Sequence, residues 1–393
     1  MIRTVTGLIW LGFYLRICVA AWNGFIGPSI GAGGDASTFH MVAVLHSYNL
    51  DIDKIGMDST SIYYPLKIGW MYPYILGVFY AFTTPSLFLG SFLSVVVWVA
   101  SAFILVRIMQ LLLFNKSSQF TIMLIYALLP SSIVHTSVTL REPYQLFLVN
   151  LSVYAVLKIY MNKSFFYWSV LLSAVISMGV LHGALFVFGV FLVVATLLML
   201  SLRYRQSGKH FSFIKLVIVL PLIVYVISCG ISYFEVHSYG GYGAGTHMEF
   251  YDKVAGFQEG LMHLKARSNY KSSVTIDSGI ALLYFIPVNL FQYLFEPMPW
   301  RIANLFDVIV MLENILRVCL LWKVCIWLRS VSVQGKRQLL FVLICYLLLE
   351  TMWSLGTISW GNAVRHHIPS LGLMLIVAFA YSATRSRKVE QIK

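Results

Sequence analysis

The chain has 393 residues, 59% hydrophobic and 11% charged, with 28 Lys and Arg against 15 Asp and Glu. A soluble domain carries about 25% charged residues, so this composition excludes a soluble enzyme, a disordered chain and a disulfide scaffold. The formal charge of +13 is assigned to basic loops on one side of a membrane. Nucleic acid is not the partner, because no basic stretch is interleaved with exposed aromatics as a single-strand platform requires.

Apolar runs near 5–27, 87–113, 119–136, 143–160, 213–234, 302–327, 338–357 and 368–383 are each long enough to cross a bilayer as a helix. The run 166–201 is too long for one crossing. His182-Gly183 interrupts it, which predicts two helices, 166–181 and 184–201. The expected fold is therefore an all-α, polytopic bundle of about ten spans. Two further apolar pieces, 68–83 and 279–297, are bounded by Pro, Tyr and Trp.

The basic clusters Arg107/Lys116, Lys158/Lys163, Arg203/Arg205/Lys209, Arg329/Lys336/Arg337 and Arg385/Arg387/Lys388 belong on the cytoplasmic side. With both termini inside, that holds only if 68–83 and 279–297 do not cross. They are then juxtamembrane or re-entrant helices in two large outer loops, 28–86 and 235–301, inside a single integral domain 1–393. Eleven of the fifteen acids fall in outer loops, and Glu390 is the only cytoplasmic one. Any chemistry faces outward. The first run, with Arg16 near its centre, is expected to be an uncleaved helix.

Candidate residues follow in chain order. Gly31-Ala32-Gly33-Gly34 allows a tight exit from the first helix, and Asp35 is expected at the N-cap of a helix running to about Tyr48. Asp35 is then either an ordinary cap or a base toward a hydroxyl. His40 lies about a turn and a half on and reads as a substrate contact. Arg141-Glu142-Pro143 opens the fourth span. Glu and Pro suit a helix start, while Arg141 also suits a two-pronged phosphate contact and Glu142 an acceptor hydroxyl or a metal.

His182 is either an interfacial hydrogen-bonding residue or a substrate contact. Arg301, after Pro297-Met298-Pro299-Trp300, is either an interfacial anchor or an anion contact. Arg365-His366-His367, preceded by Ser359-Trp360-Gly361-Asn362, places an arginine against the positive-inside trend and suits an anionic ligand. Arg16, Asp307, Glu313, Arg317 and Glu350 lie within spans, where charges are costly and tend to pair. Glu313 and Arg317, four apart, are expected to neutralise each other.

Other signals carry nothing. Cys18, Cys229, Cys319, Cys325 and Cys345 fall in apolar segments without metal spacing. Gly241–Gly245 lacks the strand-before, helix-after setting of a dinucleotide loop. There is no GxSxG, HExxH or P-loop.

Gly34-Asp35 after the first helix, an outer segment with Lys67, Tyr72, Pro73 and Tyr74, and Leu128-Leu129-Pro130 followed by Arg141-Glu142 resemble in layout the GT-C superfamily. Those are membrane glycosyltransferases that use polyprenyl-linked sugar donors. The resemblance covers residues 1–200. The later cues, His182 and the Arg-His pair near the last span, look similar to bacterial O-antigen, capsule and exopolysaccharide polymerases. The resemblance implies Asp35 as the base for the acceptor and Arg141, with Arg365, as holders of the lipid phosphate. Many members carry two adjacent acids in the first loop, whereas Asp35 is followed by Ala36, which leaves a divalent metal open.

The resulting expectation is a bacterial inner-membrane glycosyltransferase of surface-polysaccharide assembly, taking a polyprenyl-(pyro)phosphate-linked saccharide donor and a saccharide acceptor. Tyr63, Tyr64 and Trp70 would be interfacial anchors. Repeat-unit polymerisation is favoured over single-sugar transfer, with other polysaccharide-assembly proteins an open partner class. The rival is a polysaccharide or lipid exporter without chemistry.

Overall fold

The computed structural model describes residues 4–29, 31–48, 71–162, 164–206, 258, 267–270, 278–330 and 337–382. Its regular elements are helices: α1 (Val5–Phe25), α2 (Asp35–Ser47), α3 (Met71–Phe82), α4 (Leu87–Leu111), α5 (Lys116–Leu128), α6 (Pro130–His135) and α7 (Glu142–Asn162). There follow α8 (Phe165–Leu181), α9 (Gly183–Gln206), α10 (Gly279–Phe295), α11 (Leu305–Ser330), α12 (Arg337–Leu355), α13 (Trp360–His366) and α14 (Leu371–Ala378). The expected span 213–234, Lys67, the anchors Tyr63, Tyr64 and Trp70, and Cys229 lie outside the described residues.

Five of these helices, α1, α4, α7, α9 and α12, are long and apolar enough to cross a membrane. The break expected at His182-Gly183 is present, as the single residue between α8 and α9. Two expected spans are not continuous helices. The run 119–136 divides at Leu129 into α5 and the six-residue α6, because Pro130 has no N–H for the ladder and its ring excludes the preceding residue from the helical region. The run 368–383 contains Pro369 and holds the eight-residue α14 after it.

The burial pattern is inverted relative to a soluble protein. On α11, Asp307, Glu313, Asn314 and Arg317 are buried, while Leu312, Ile315, Val318 and Trp322 are exposed, Trp322 at 62%. On α1, Arg16 is wholly buried while Trp10, Tyr14 and Trp22 are exposed. Charges turned inward and apolar side chains turned outward are what a hydrocarbon surrounding demands.

The chain folds as two compact units. One comprises Phe13–Ile104 and Thr136–Gly243. In it, Gly90, Ser91, Ser94, Val95, Trp98, Ser101 and Ala102 form the buried stripe of α4 at helical period. Arg16 donates from Nε to Thr136 Oγ1 at 2.7 Å and stacks over Trp98 at 3.6 Å. Asn150 donates to Ser101 Oγ at 2.9 Å. Helices α8 and α9 form an antiparallel hairpin. A Cβ on Gly179 would meet Phe186 at 2.9 Å, and one on Gly189 would meet Val175 at 2.7 Å, so the glycines permit the close approach usual between membrane helices.

The other unit comprises Met1–Gly12, Leu105–His135 and Ala244–Lys393. Its interrupted helices are closed off by buried side chains. Glu313 accepts from Ser131 N at 2.8 Å at the start of α6. At the end of α10, Arg317 donates to Leu294 O at 2.9 Å, Asn314 to Glu296 O at 2.8 Å, and His367 contacts Tyr293 O at 3.2 Å. Beyond α12, Gln258 donates to Leu355 O at 2.6 Å and Tyr270 to Thr357 O at 2.8 Å. Glu313 and Arg317 attract one another across one turn of α11 as expected, but each forms its hydrogen bond to a helix end, since an orphaned backbone group is the larger cost.

This account predicts an ordering of variants. Glu313→Gln keeps an acceptor for Ser131 N and should cost less than Glu313→Leu, which leaves the N–H unsatisfied at about 1–3 kcal/mol. Thermal unfolding in detergent, followed by tryptophan fluorescence, measures both. A leucine variant as stable as wild type would contradict the assignment.

Candidate functional site

In the first of these units, α2 packs along α3 and the start of α7 lies against it. The junction is aromatic. Phe39 is buried on α2 with its ring edge-on to Tyr72 at 5.4 Å, and Tyr72 lies 5.2 Å from Tyr144. The Arg141 guanidinium carbon sits 5.7 Å from the Phe39 centroid, within cation–π range. On the other side of the contact, a Cβ on Gly77 would lie 2.9 Å from Ala43 O. Glycine there lets α3 reach the backbone of α2.

This junction brings four expected site residues, Asp35, His40, Arg141 and Glu142, to one helix pair and the segment beside it. Asp35 is exposed and is the first residue of α2, four before Phe39. It is not the N-cap. Gly34 occupies that place at φ 59°, and the Ser37 and Thr38 hydroxyls donate to Gly34 O at 2.8 and 3.1 Å. The carboxylate contributes instead as a first-turn acid complementing the helix dipole.

Glu142 and Gln145 are each 1% exposed, one turn apart on α7. Neither amide atom of Gln145 meets a hydrogen-bond partner among the described residues, and a buried orphan amide of this kind marks a place where water or ligand is expected.

His40 is half-buried, and burial holds its imidazole below the ordinary value of 6.5. Its Nδ1 lies 2.9 Å from Tyr80 Oη, which donates to Ser86 O at 3.0 Å. Burial pushes the Tyr80 phenol well above its usual range. A Cβ on Gly90 would fall 2.5 Å from Tyr80 Oη and 3.0 Å from Thr139 Oγ1, so only glycine leaves room for the hydroxyl. Tyr80 was not singled out in the sequence. Its signal was weak, a tyrosine among several in an apolar segment.

The remaining candidates have other local roles. His182 is the tip of the α8–α9 hairpin, extended at φ −164°, and its Nδ1 accepts from Ala184 N at 3.2 Å, closing the start of α9.

The other unit holds Arg301, Arg365 and His366. Arg301 lies in a 3-10 turn, half-exposed, 3.7 Å from Glu296 and 3.4 Å from Tyr270 O. Arg365 is half-buried on α13. His366 is held by Thr357 Oγ1 at 2.8 Å and stacks on Trp353 at 4.5 Å.

His367, beside it, joins the more polar network. It contacts Glu350 at 2.7 Å, and Glu350 also accepts from Ser370 Oγ. These three with Arg317 and Ser131 line a cavity of about 10 Å³, room for a single water. Arg267, also unforeseen, makes a two-pronged pair with Asp307 at 2.7 and 3.0 Å, and Trp360 Nε1 donates to the same carboxylate at 2.9 Å. Among the described residues no three His, Cys, Asp or Glu side chains gather where a metal ion could bind.

The Gly90–Tyr80 contact generates a test. Gly90→Ala should cost about 1–3 kcal/mol by overpacking. Tyr80→Phe, which removes the clashing oxygen, should recover part of that loss, giving a coupling above about 0.5 kcal/mol in a double-mutant cycle. Additive losses would place the strain elsewhere.

Compared with known proteins, the chain matches no family model, no curated protein and no solved structure.

Proposed function

We propose that this chain is an integral membrane glycosyltransferase acting on polyprenyl-(pyro)phosphate-linked saccharides, polymerising repeat units in the assembly of a bacterial surface polysaccharide. In this reading it sits in the inner membrane with both termini cytoplasmic. With α8, the segment 213–234, α5–α6, α11 and the run that holds α14, the five long helices make a count of about ten crossings, the broken ones covered by protein. The α2–α3 pair lies on the outer side, where the acids of the chain concentrate.

The observation that carries the reading is the seating of α2 on Arg141 through Phe39. A helix bearing two candidate bases, Asp35 and His40, is thereby held next to a guanidinium at the start of an apolar span. Glycosyl transfer from a lipid phosphate needs those two parts. The acceptor hydroxyl gives up its proton as its oxygen bonds the anomeric carbon, and the bond to the phosphate oxygen breaks with its electron pair. Arg141 stabilises the departing anion. Glu142 and Gln145 offer polar contacts to the sugar, and His182, in the same unit, is a further candidate contact to the saccharide.

The test uses the full chain, purified and reconstituted in proteoliposomes with a synthetic polyprenyl-diphosphate disaccharide. Arg141→Lys keeps the charge but loses the planar fork. Its kcat/KM should fall roughly 10- to 100-fold, the scale of about 1.5–3 kcal/mol for a charge-assisted hydrogen bond, with thermal stability retained. Wild-type turnover in Arg141→Met would remove the residue from the site.

A further inference from the structure

The proton arrangement around His40 can be worked out from the heavy atoms. Tyr80 Oη has one hydrogen and two neighbours at hydrogen-bond distance, His40 Nδ1 at 2.9 Å and Ser86 O at 3.0 Å. A carbonyl oxygen only accepts, so Ser86 O must receive the Tyr80 hydrogen if that contact is a bond. Tyr80 Oη then has only lone pairs to offer His40, and Nδ1 must carry a hydrogen. This is the one assignment that makes both contacts hydrogen bonds. It leaves Nε2 as the bare, basic nitrogen of a neutral ring.

That nitrogen has no hydrogen-bond partner among the described residues, and His40 is half-buried rather than enclosed. The tyrosine is itself confined, since Gly90 leaves just enough room for its hydroxyl. A base whose second nitrogen is held by an oriented partner is the arrangement that general-base catalysis uses.

We propose that His40 Nε2, and not Asp35, takes the proton of the acceptor hydroxyl, with Tyr80 a positioning residue that fixes the imidazole tautomer. The inference rests on the glycosyltransferase reading and names the base within it. As the acceptor oxygen bonds the anomeric carbon, its proton passes to Nε2. The carbon–oxygen bond to phosphate breaks, the phosphate leaves with the electron pair, and the imidazolium then returns its proton to water. Asp35 is the exposed first residue of α2. An imidazole is also the stronger base by type near neutral pH.

The titratable groups on elements packed against α2 are Tyr72, Tyr74 and Tyr80 on α3 and Arg141, Glu142 and Tyr144 at the start of α7. Asp35 and His46 share the helix itself. Burial lowers the His40 value, so the ring is neutral at pH 7 and activity should be lost only as pH falls below the ordinary histidine range.

The experiment is the pH dependence of kcat/KM for the reconstituted full chain and its variants, with thermal unfolding as the fold control. Wild type should show an acid limb with its midpoint below 6.5. His40→Asn and His40→Gln should lose about 10²-fold or more and lose the limb. Tyr80→Phe should fall between them and wild type, with the limb moved, and its His40 ¹⁵N resonances should show the Nδ1–H form no longer dominant. Asp35→Asn should keep the limb.

An acid limb that persists in both His40 variants and vanishes in Asp35→Asn overturns the assignment while leaving the transferase reading intact. Absence of transfer by wild type overturns the reading itself, and the base with it. His40 variants that fail to fold leave the decision to Tyr80→Phe. An unchanged limb and an unchanged tautomer there also overturn the proposal.

Discussion

A backbone N–H or carbonyl left bare inside hydrocarbon costs several kcal/mol, and that cost shapes the unit that contains α10 to α14. Among the described residues, three of its helix ends are met by buried side chains. Glu313 receives the start of α6. Arg317, Asn314 and His367 meet the last carbonyls of α10. Gln258 and Tyr270 take those beyond α12. Cations and amides at helix ends, and a carboxylate at a helix start, also match the sign of the helix dipole. The buried charges of this unit are therefore parts of its architecture first.

The same logic explains why the chemistry is sought elsewhere. In the unit built on α2, α3 and α7, His182 closes a helix end, but Gln145 and His40 at the aromatic junction do not. The amide of Gln145 has no hydrogen-bond partner among the described residues, His40 keeps an accessible nitrogen, and Arg141 lies 5.7 Å from the Phe39 ring centroid. The aromatic junction of Phe39, Tyr72 and Tyr144 gives rigidity without using up the hydrogen-bonding capacity a ligand needs.

Much of the fold was legible from hydropathy, because length and apolarity alone identify a helix that can cross a bilayer. The break at His182-Gly183 was legible too, from run length. The breaks at Leu129 and near Ile368 were not read, although Pro130 and Pro369 stood in the sequence, because a long apolar run outweighed a single proline. The helix-end partners of Glu313 and Arg317 were missed for a related reason. Spacing along one helix says which side chains could meet, and nothing about the orphaned backbone of other helices that competes for them.

Asp35 and Arg141 were found from their positions after helix one and before helix seven. The Tyr80–His40 contact and the Glu350–His367–Ser370 network join residues 40, 17 and 20 apart. Such tertiary juxtapositions leave no periodic trace in a single sequence.

The most direct measurement of the central claim is product analysis. Purified full-length protein in proteoliposomes would be supplied with a polyprenyl-diphosphate saccharide labelled in both the sugar and the lipid. Glycosyl transfer predicts that free polyprenyl diphosphate appears in equal amount to new glycosidic bonds, on a lengthening saccharide. Intact lipid-linked saccharide moved across the bilayer, with no bond formed and no diphosphate released, would contradict the account and make the chain an exporter.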